Sequence, residues 1–241
     1  MKIALLISGG GTTMEAIIKA CKNCILKDKI FPVLVITNRE NAGGIEKARK
    51  LGINDKDILI IKSKDFKNKD EFGEKIIKEC IKREVDFIGQ YGWLVMTPEN
   101  VINIYSDRIV NQHPGPLDPK GNGDFGGIGM YGKRVHQARL CFVKKTQRNF
   151  WTEATAHRVT AEFDEGAILK RHQVPILEDD TAESLQERVL PVEHQVQIEL
   201  LKDFSEGTVS EFHRESSLVL PNEEKILAEC KELAIKLYPH G

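Results

Sequence analysis

Short apolar runs alternate with segments of helical hydrophobic spacing through the first 115 residues of the chain. Residues 3–8, 31–37, 58–61, 85–89 and 108–111 read as strands. Residues 13–26, 43–51, 69–83 and 98–104 read as the helices between them. In the third of these helices, Phe72, Ile76, Ile77, Cys80 and Ile81 fall near the 3.6-residue period. Strands that are apolar throughout, alternating with amphipathic helices, predict a Rossmann-like α/β fold. Its sheet is predominantly parallel, with helices on both faces. Ligands of such a sheet sit beyond the carboxyl ends of its strands. From Trp151 the pattern turns to extended structure, and 152–160 and 167–174 read as an antiparallel pair. Phe163-Asp164-Glu165-Gly166 joins them. A long helix follows over 181–204 and runs through Pro191; a strand at 208–213 and a helix at 223–237 complete the chain. The last helix carries an apolar stripe of Ile226, Leu227, Cys230, Leu233, Ala234 and Leu237, which most simply docks on the domain, a partner helix being the alternative. Neither a repeat nor a linker interrupts the pattern. Residues 1–241 therefore read as one domain, with a C-terminal strand and helix over 208–241.

Residues 120–150 break the alternation. Six glycines, at 121, 123, 126, 127, 129 and 132, precede Lys133, Arg134, Arg139, Lys144, Lys145 and Arg148. Two readings of this insertion stand side by side. One is a surface loop leading into a solvated helix; the other is a lid whose cations meet a phosphorylated substrate.

Composition narrows the function classes. A net charge of −1 lacks the basic footprint of a nucleic-acid binder. No apolar run has the length of a membrane span. The cysteines at 21, 24, 80, 141 and 230 are odd in number and form no disulfide framework, as expected of a cytoplasmic protein. Cys21-Lys22-Asn23-Cys24 has redox or zinc spacing without a second pair to complete four ligands, so it reads as ordinary helix cysteines. No metal is expected, and His136, His157, His172 and His194 show no ligand spacing. His157 reads equally as a support for Asp164 or as a packed strand residue.

Two segments carry chemistry. Ser8-Gly9-Gly10-Gly11-Thr12-Thr13 joins the first strand to the first helix. Glycines admit close backbone approach, and a helix amino terminus offers free N–H groups to an anion. The loop has neither a Walker ending nor the full dinucleotide spacing, so it predicts a single-phosphate site. A tight structural turn with threonine capping has the same residues. Asn111-Gln112-His113-Pro114 ends the fifth strand, and period two puts Asn111 and His113 on one face. An amide donor beside an imidazole suits acyl transfer: the amide steadies an oxyanion and the imidazole moves a proton near neutral pH. Asp164 is the carboxylate that orients the imidazole. A turn in which both side chains cap backbone groups is the alternative.

Taken together and in this order, these segments resemble the folate-dependent formyltransferases over roughly residues 1–213. The resemblance rests on the opening strand and glycine loop, on Ile36-Thr37-Asn38-Arg39 with Ala42-Gly43, and on Asn111-Gln112-His113-Pro114. It extends through the segment from His157 to Gly166 and Val192-Glu193-His194. It implies that Asn111, His113 and Asp164 are catalytic. It also implies that Gly11, Thr12 and Thr13 bind a substrate phosphate and that Glu193 binds its ribose. Trp93, Leu94, Val95 and Met96, with the backbone near Asp164, would line the pterin pocket. The implied reaction moves a formyl group from 10-formyltetrahydrofolate to the primary amine of 5'-phosphoribosylglycinamide, without a metal. The implied partners are small molecules, not nucleic acid or membrane, and nothing is implied about oligomeric state. The family usually has Ser-Asn at Thr12-Thr13, Met-Arg at Trp93-Leu94, and a shorter stretch between His113 and Asp164. These differences cluster on the amine side, so another phosphorylated amine, such as a nucleotide-linked amino sugar, stays open as acceptor. A non-catalytic folate- or phosphate-binding module is the reading from another class.

Overall fold

A computed structural model describes residues 1–23 and 25–241. Cys24, and with it the Cys21-x-x-Cys24 reading, lies outside the described residues. The chain divides into two compact units. The first comprises Met1–Gln112, Arg158–Ala161 and Gln197–Val209, and the second His113–His157, Glu162–Val196 and Ser210–Gly241.

The first unit holds five parallel strands: β1 (Lys2–Ile7), β2 (Phe31–Thr37), β3 (Ile58–Ile60), β4 (Phe87–Gln90) and β5 (Ile109–His113), whose last residue opens the second unit. Their spatial order is β3-β2-β1-β4-β5, with β1 registered against both β2 and β4. Chain order reverses at β1. Helices α1 (Thr12–Asn23) and α2 (Gly44–Lys50) serve the crossovers on one side of β1. Helices α3 (Lys69–Lys82) and α4 (Glu99–Ile104) serve those on the other. Right-handed crossovers running in opposite directions place the two helix pairs on opposite faces, and α1 packs on α2 as α3 packs on α4. Ala4, Leu6, Leu34, Ile36, Ile88 and Ile109 of the strands meet Phe72, Ile76 and Cys80 of α3 in one core. Ile81, read as part of that stripe, is instead 63 % exposed. It stands one residue past Cys80, about 100° round the helix from it.

The second unit is built on an antiparallel pair, β6 (Trp151–Arg158) and β7 (Ile168–Pro175). Three helices accompany it: α5 (Lys133–Thr146), α6 (Ala182–Glu206) up to Val196, and α7 (Glu224–Leu237); from Gln197 on, α6 belongs to the first unit. Helix α6 keeps helical structure through Pro191. The expected strand at 208–213 shrinks to one bridge, Phe212 to Ile168. Helix α7 docks on α5 through Leu227, Cys230 and Ala234, which join Phe125, Val135, Ala138 and Phe142 in the unit's core. Leu233 and Leu237 stay exposed.

Two expectations for this half are corrected. Helix α5 is not solvated, since Arg134, His136 and Arg139 are all buried. Most of the insertion's cations are paired within the protein, although Lys144 and Lys145 stay exposed. Arg134 donates to the carbonyls of Gly129, Tyr238 and Pro239. Arg139 donates to those of Asn149 and Trp151 and lies over the Phe125 and Trp151 rings. Lys133, Lys145 and Arg148 pair with Glu183, Glu229 and Glu223. Second, Cys141 and Cys230 are disulfide-bonded across α5 and α7, 89 residues apart in sequence. An odd count hides such a bond, because parity says nothing about which helices meet. Reduction, or Cys230→Ser, is expected to lower unfolding free energy by about 2–4 kcal/mol. Denaturation midpoints with and without dithiothreitol test this, and coincident curves would count against the bond.

Among the described residues, no helix is long and apolar enough to cross a membrane.

Candidate functional site

In the first unit the sequence-predicted binding residues follow the carboxyl ends of β1 and β4. Ser8 follows β1, and its N–H donates to the Gly92 carbonyl at 2.9 Å. Its Oγ accepts from Leu94 N at 2.9 Å. The glycine loop and the segment after β4 are thereby tied together. Trp93 is buried in the core with Phe72 and Val101, Val95 packs against that core, and Leu94 is exposed. Met96 is half-buried, with its Sδ at 3.8 Å from Lys69 Nζ. Thr12 and Thr13 open α1, and Thr13 is buried. Gly11 has φ +62°, and a Cβ there would stand 2.9 Å from Gly44 Cα. Gly11→Ala therefore meets both a left-handed backbone and an unyielding main chain. A loss of about 1–3 kcal/mol is expected by urea denaturation, and an unchanged midpoint would show that the loop is not held as described.

Asn111 lies in β5 in register with Gln90. His113, two residues on, is 2 % exposed. Its Nε2 sits 3.1 Å from the Phe125 carbonyl. Its Nδ1 faces Asp164 Oδ2 at 3.6 Å. Asp164 occupies the β6–β7 connection with φ +62°, a left-handed conformation that aspartate tolerates better than most residues. Its Oδ2 accepts from Gly127 N at 2.9 Å, and its Oδ1 is 3.3 Å from His157 Nε2. His157 is the penultimate residue of β6 and is buried. One carboxylate thus lies between two imidazoles and a backbone N–H. Of the two readings of His157, support for Asp164 is the one the geometry carries.

Charge follows from these contacts. Burial pushes the Asp164 carboxyl up, but His113, the hydrogen bond from His157 and the Gly127 N–H together outweigh it. They hold the group far below the usual carboxylate range. Burial pushes His113 below the ordinary histidine value, with Asp164 opposing. Near neutral pH the arrangement is an ionised carboxylate facing a neutral imidazole. A carbonyl only accepts, so Nε2 carries the hydrogen and Nδ1 presents its lone pair toward Asp164. Lone pair and carboxylate side by side form a two-acceptor seat for an amine N–H.

Glu193 is buried in α6 of this second unit. Strand β6 also braces the segment after His113. Thr155 Oγ1 donates to the Gly115 carbonyl at 2.8 Å, and Arg214 Nε donates to the Leu117 carbonyl at 2.7 Å. The turn at 124–127 was not legible in the sequence as part of the site. Its contributions are a carbonyl and an N–H, which no residue type encodes; only the glycine cluster marks the place. Among the described residues, no group of three or more His, Cys, Asp or Glu side chains is arranged to hold a metal ion.

Comparison with known proteins adds the following. The family model described as formyl transferase matches residues 1–201. The chain is 34% identical over 208 residues to a chloroplastic phosphoribosylglycinamide formyltransferase of Vigna unguiculata, covering 86% of this chain and 62% of that protein. It is 30% identical over 207 residues to phosphoribosylglycinamide formyltransferase of Schizosaccharomyces pombe, covering 83% and 94%. It spans only 62–64% of the length of the three chloroplastic relatives. Glycinamide ribonucleotide transformylase 1 from Symbiobacterium toebii shares the fold with a TM-score of 0.73 at 29% identity, covering 86% of this chain and 88% of that one. Phosphoribosylglycinamide formyltransferase from Brucella melitensis does so with 0.70 at 31% identity, covering 88% and 98%.

Proposed function

Because this chain belongs to the formyl transferase family, we propose that it moves a formyl group from 10-formyltetrahydrofolate to the primary amine of 5'-phosphoribosylglycinamide. The observation that carries the chemistry is Asp164 between His113 and His157, with the Nδ1 lone pair of His113 turned toward it. The amine places an N–H in the seat formed by that lone pair and the carboxylate. Its nitrogen attacks the formyl carbon, and the carbonyl electron pair moves to oxygen. Asn111 donates to that oxyanion from the same face of β5. His113 Nδ1 takes the proton lost by the new C–N nitrogen and delivers it to the departing N10 as the C–N10 bond breaks. Asp164 stabilises the transient imidazolium, and His157 holds Asp164 in place. Much of the remaining acceleration comes from holding donor and amine together.

The roles of the first unit follow the same reading. Gly11, Thr12 and Thr13 hold the substrate phosphate at the amino end of α1, and the 93–96 segment lines the pterin. Glu193 of α6 binds the ribose. The amino-sugar alternative drew part of its support from the basic insertion. Arg134, Arg139 and Arg148 are held by partners within the protein, and Lys133 and Lys145 by partly exposed ion pairs, which weakens that support.

Spectroscopic turnover of 10-formyltetrahydrofolate tests the proposal. Consumption that requires 5'-phosphoribosylglycinamide is expected. Consumption at the same rate without any amine would mean a hydrolase, and none in either case would mean a binding module.

A further inference from the structure

We propose that Lys231 is a positioning residue for His113: it clamps the 124–127 turn, and that turn fixes the imidazole tautomer. The inference rests on the reading of His113 as the proton carrier. Lys231 projects from α7, beyond the 201 residues that match the family model. Its Nζ donates to the Gly126 carbonyl at 2.8 Å. The residues on either side of Gly126 hold the two reacting groups. Phe125 offers its carbonyl to His113 Nε2 at 3.1 Å, and Gly127 offers its N–H to Asp164 Oδ2 at 2.9 Å. One lysine therefore grips the middle of a three-residue span whose flanks orient the imidazole and the carboxylate.

Besides Lys231, the turn is held by Phe125, whose ring is buried in the core and whose N–H donates to the Pro116 carbonyl, and by Met130 N, which donates to the Gly127 carbonyl. Asp124 ties its start, accepting from Gly126 N and Asp118 N at 2.8 Å each. Position 126 cannot supply a packing side chain, because a Cβ there would stand 2.6 Å from Leu117 Cδ2 and 2.7 Å from Asp164 Cβ. Gly127 has φ +94°. Lys231 adds the side-chain donor that reaches the Gly126 carbonyl. The donor is itself well anchored, since Cys230, next in sequence, is bonded to Cys141 of α5.

The electrostatics agree. Burial works against the Lys231 ammonium, while Asp124, Asp164 and Glu165 favour its charge. A long cation that remains exposed would snorkel to water. This one is turned inward, among the carboxylates of the site.

Without the clamp, the Phe125 carbonyl leaves Nε2, the hydrogen exchanges between the two ring nitrogens, and the lone pair no longer faces the amine. The loss should fall on turnover, since amine and folate contacts are untouched.

The test uses the full chain carrying Lys231→Met, with Lys231→Arg as the conservative variant and Gly126→Ala as a second route to the same displacement. Nitrogen-15 spectra of the histidine rings, with His113 assigned through His113→Gln, report the tautomer directly. In the wild type His113 should appear as the fixed Nε2–H form, and in Lys231→Met as an exchanging mixture. With 10-formyltetrahydrofolate and 5'-phosphoribosylglycinamide, kcat should fall about 10- to 100-fold while both KM values stay within about twofold. Lys231→Arg should recover most of the loss. Gly126→Ala should reproduce the Lys231→Met pattern even if the latter does not fold. A fixed Nε2–H form with wild-type kcat in Lys231→Met, or in Gly126→Ala should Lys231→Met not fold, would overturn the proposal. If the wild type transfers no formyl group, the functional reading falls, and the ring spectra still decide the clamp.

Discussion

His113→Ala is expected to lower kcat by about 10²- to 10⁴-fold, with little change in the affinity of either substrate. The imidazole is buried and engages the Phe125 carbonyl at one nitrogen and faces Asp164 at the other, as the proposed role in proton movement requires. Asp164→Asn should show a comparable loss by a different route. An amide cannot stabilise the imidazolium, and its NH2 group would face either His113 Nδ1 together with the Gly127 N–H, or His157 Nε2. The pH profile separates proton carriage from bulk. Burial pushes His113 below the ordinary histidine value, and the base must be neutral to act. The acid limb of kcat/KM should therefore fall below about 6.5, the unperturbed histidine value. Because His113, Asp164 and His157 interact, that limb belongs to the cluster. Wild-type turnover in either variant would remove the residue from the mechanism.

Glu153→Ala should be the most destabilising single change outside the reacting groups, at about 3–5 kcal/mol. Glu153 lies in β6 and is completely buried. Its carboxylate pairs with Arg171 at 2.5 Å and with Arg214. Removing it leaves two cations in a site without their counter-charge, while most of their desolvation cost remains. Arg214 also holds the Leu117 carbonyl, so the segment after His113 should loosen as stability falls. Glu153→Gln keeps the shape and one set of hydrogen bonds and should cost less. Urea denaturation of the three proteins gives the order directly. Equal midpoints for wild type and Glu153→Ala would show that the ion pairs contribute nothing net.

The parallel half was legible because each of its strands is a continuous apolar run and each helix a periodic one. Period two on β5 and the acidic turn between β6 and β7 likewise marked His113 and Asp164 before their geometry was known. Residues 120–150 were not legible. Arg134 and Arg139 count as polar in any pattern, yet their guanidinium groups are buried by donating to carbonyls and lying on aromatic rings. The cover over α5 comes from α7, roughly 90 residues away in sequence, and no local pattern announces such a pairing. Asp164 also owes its setting to backbone atoms of the 124–127 turn, which carry no sequence signature. The strand expected at 208–213 had suitable residues but only one bridging partner, at Ile168.

The central claim is that the formyl group travels intact from folate to an amine. It is tested most directly by following a carbon-13 formyl label from 10-formyltetrahydrofolate by mass spectrometry. The account predicts that the label appears on the amine of 5'-phosphoribosylglycinamide, in step with loss of the donor and abolished by His113→Ala. Label recovered as free formate, or remaining on the folate with the amine present, would contradict it.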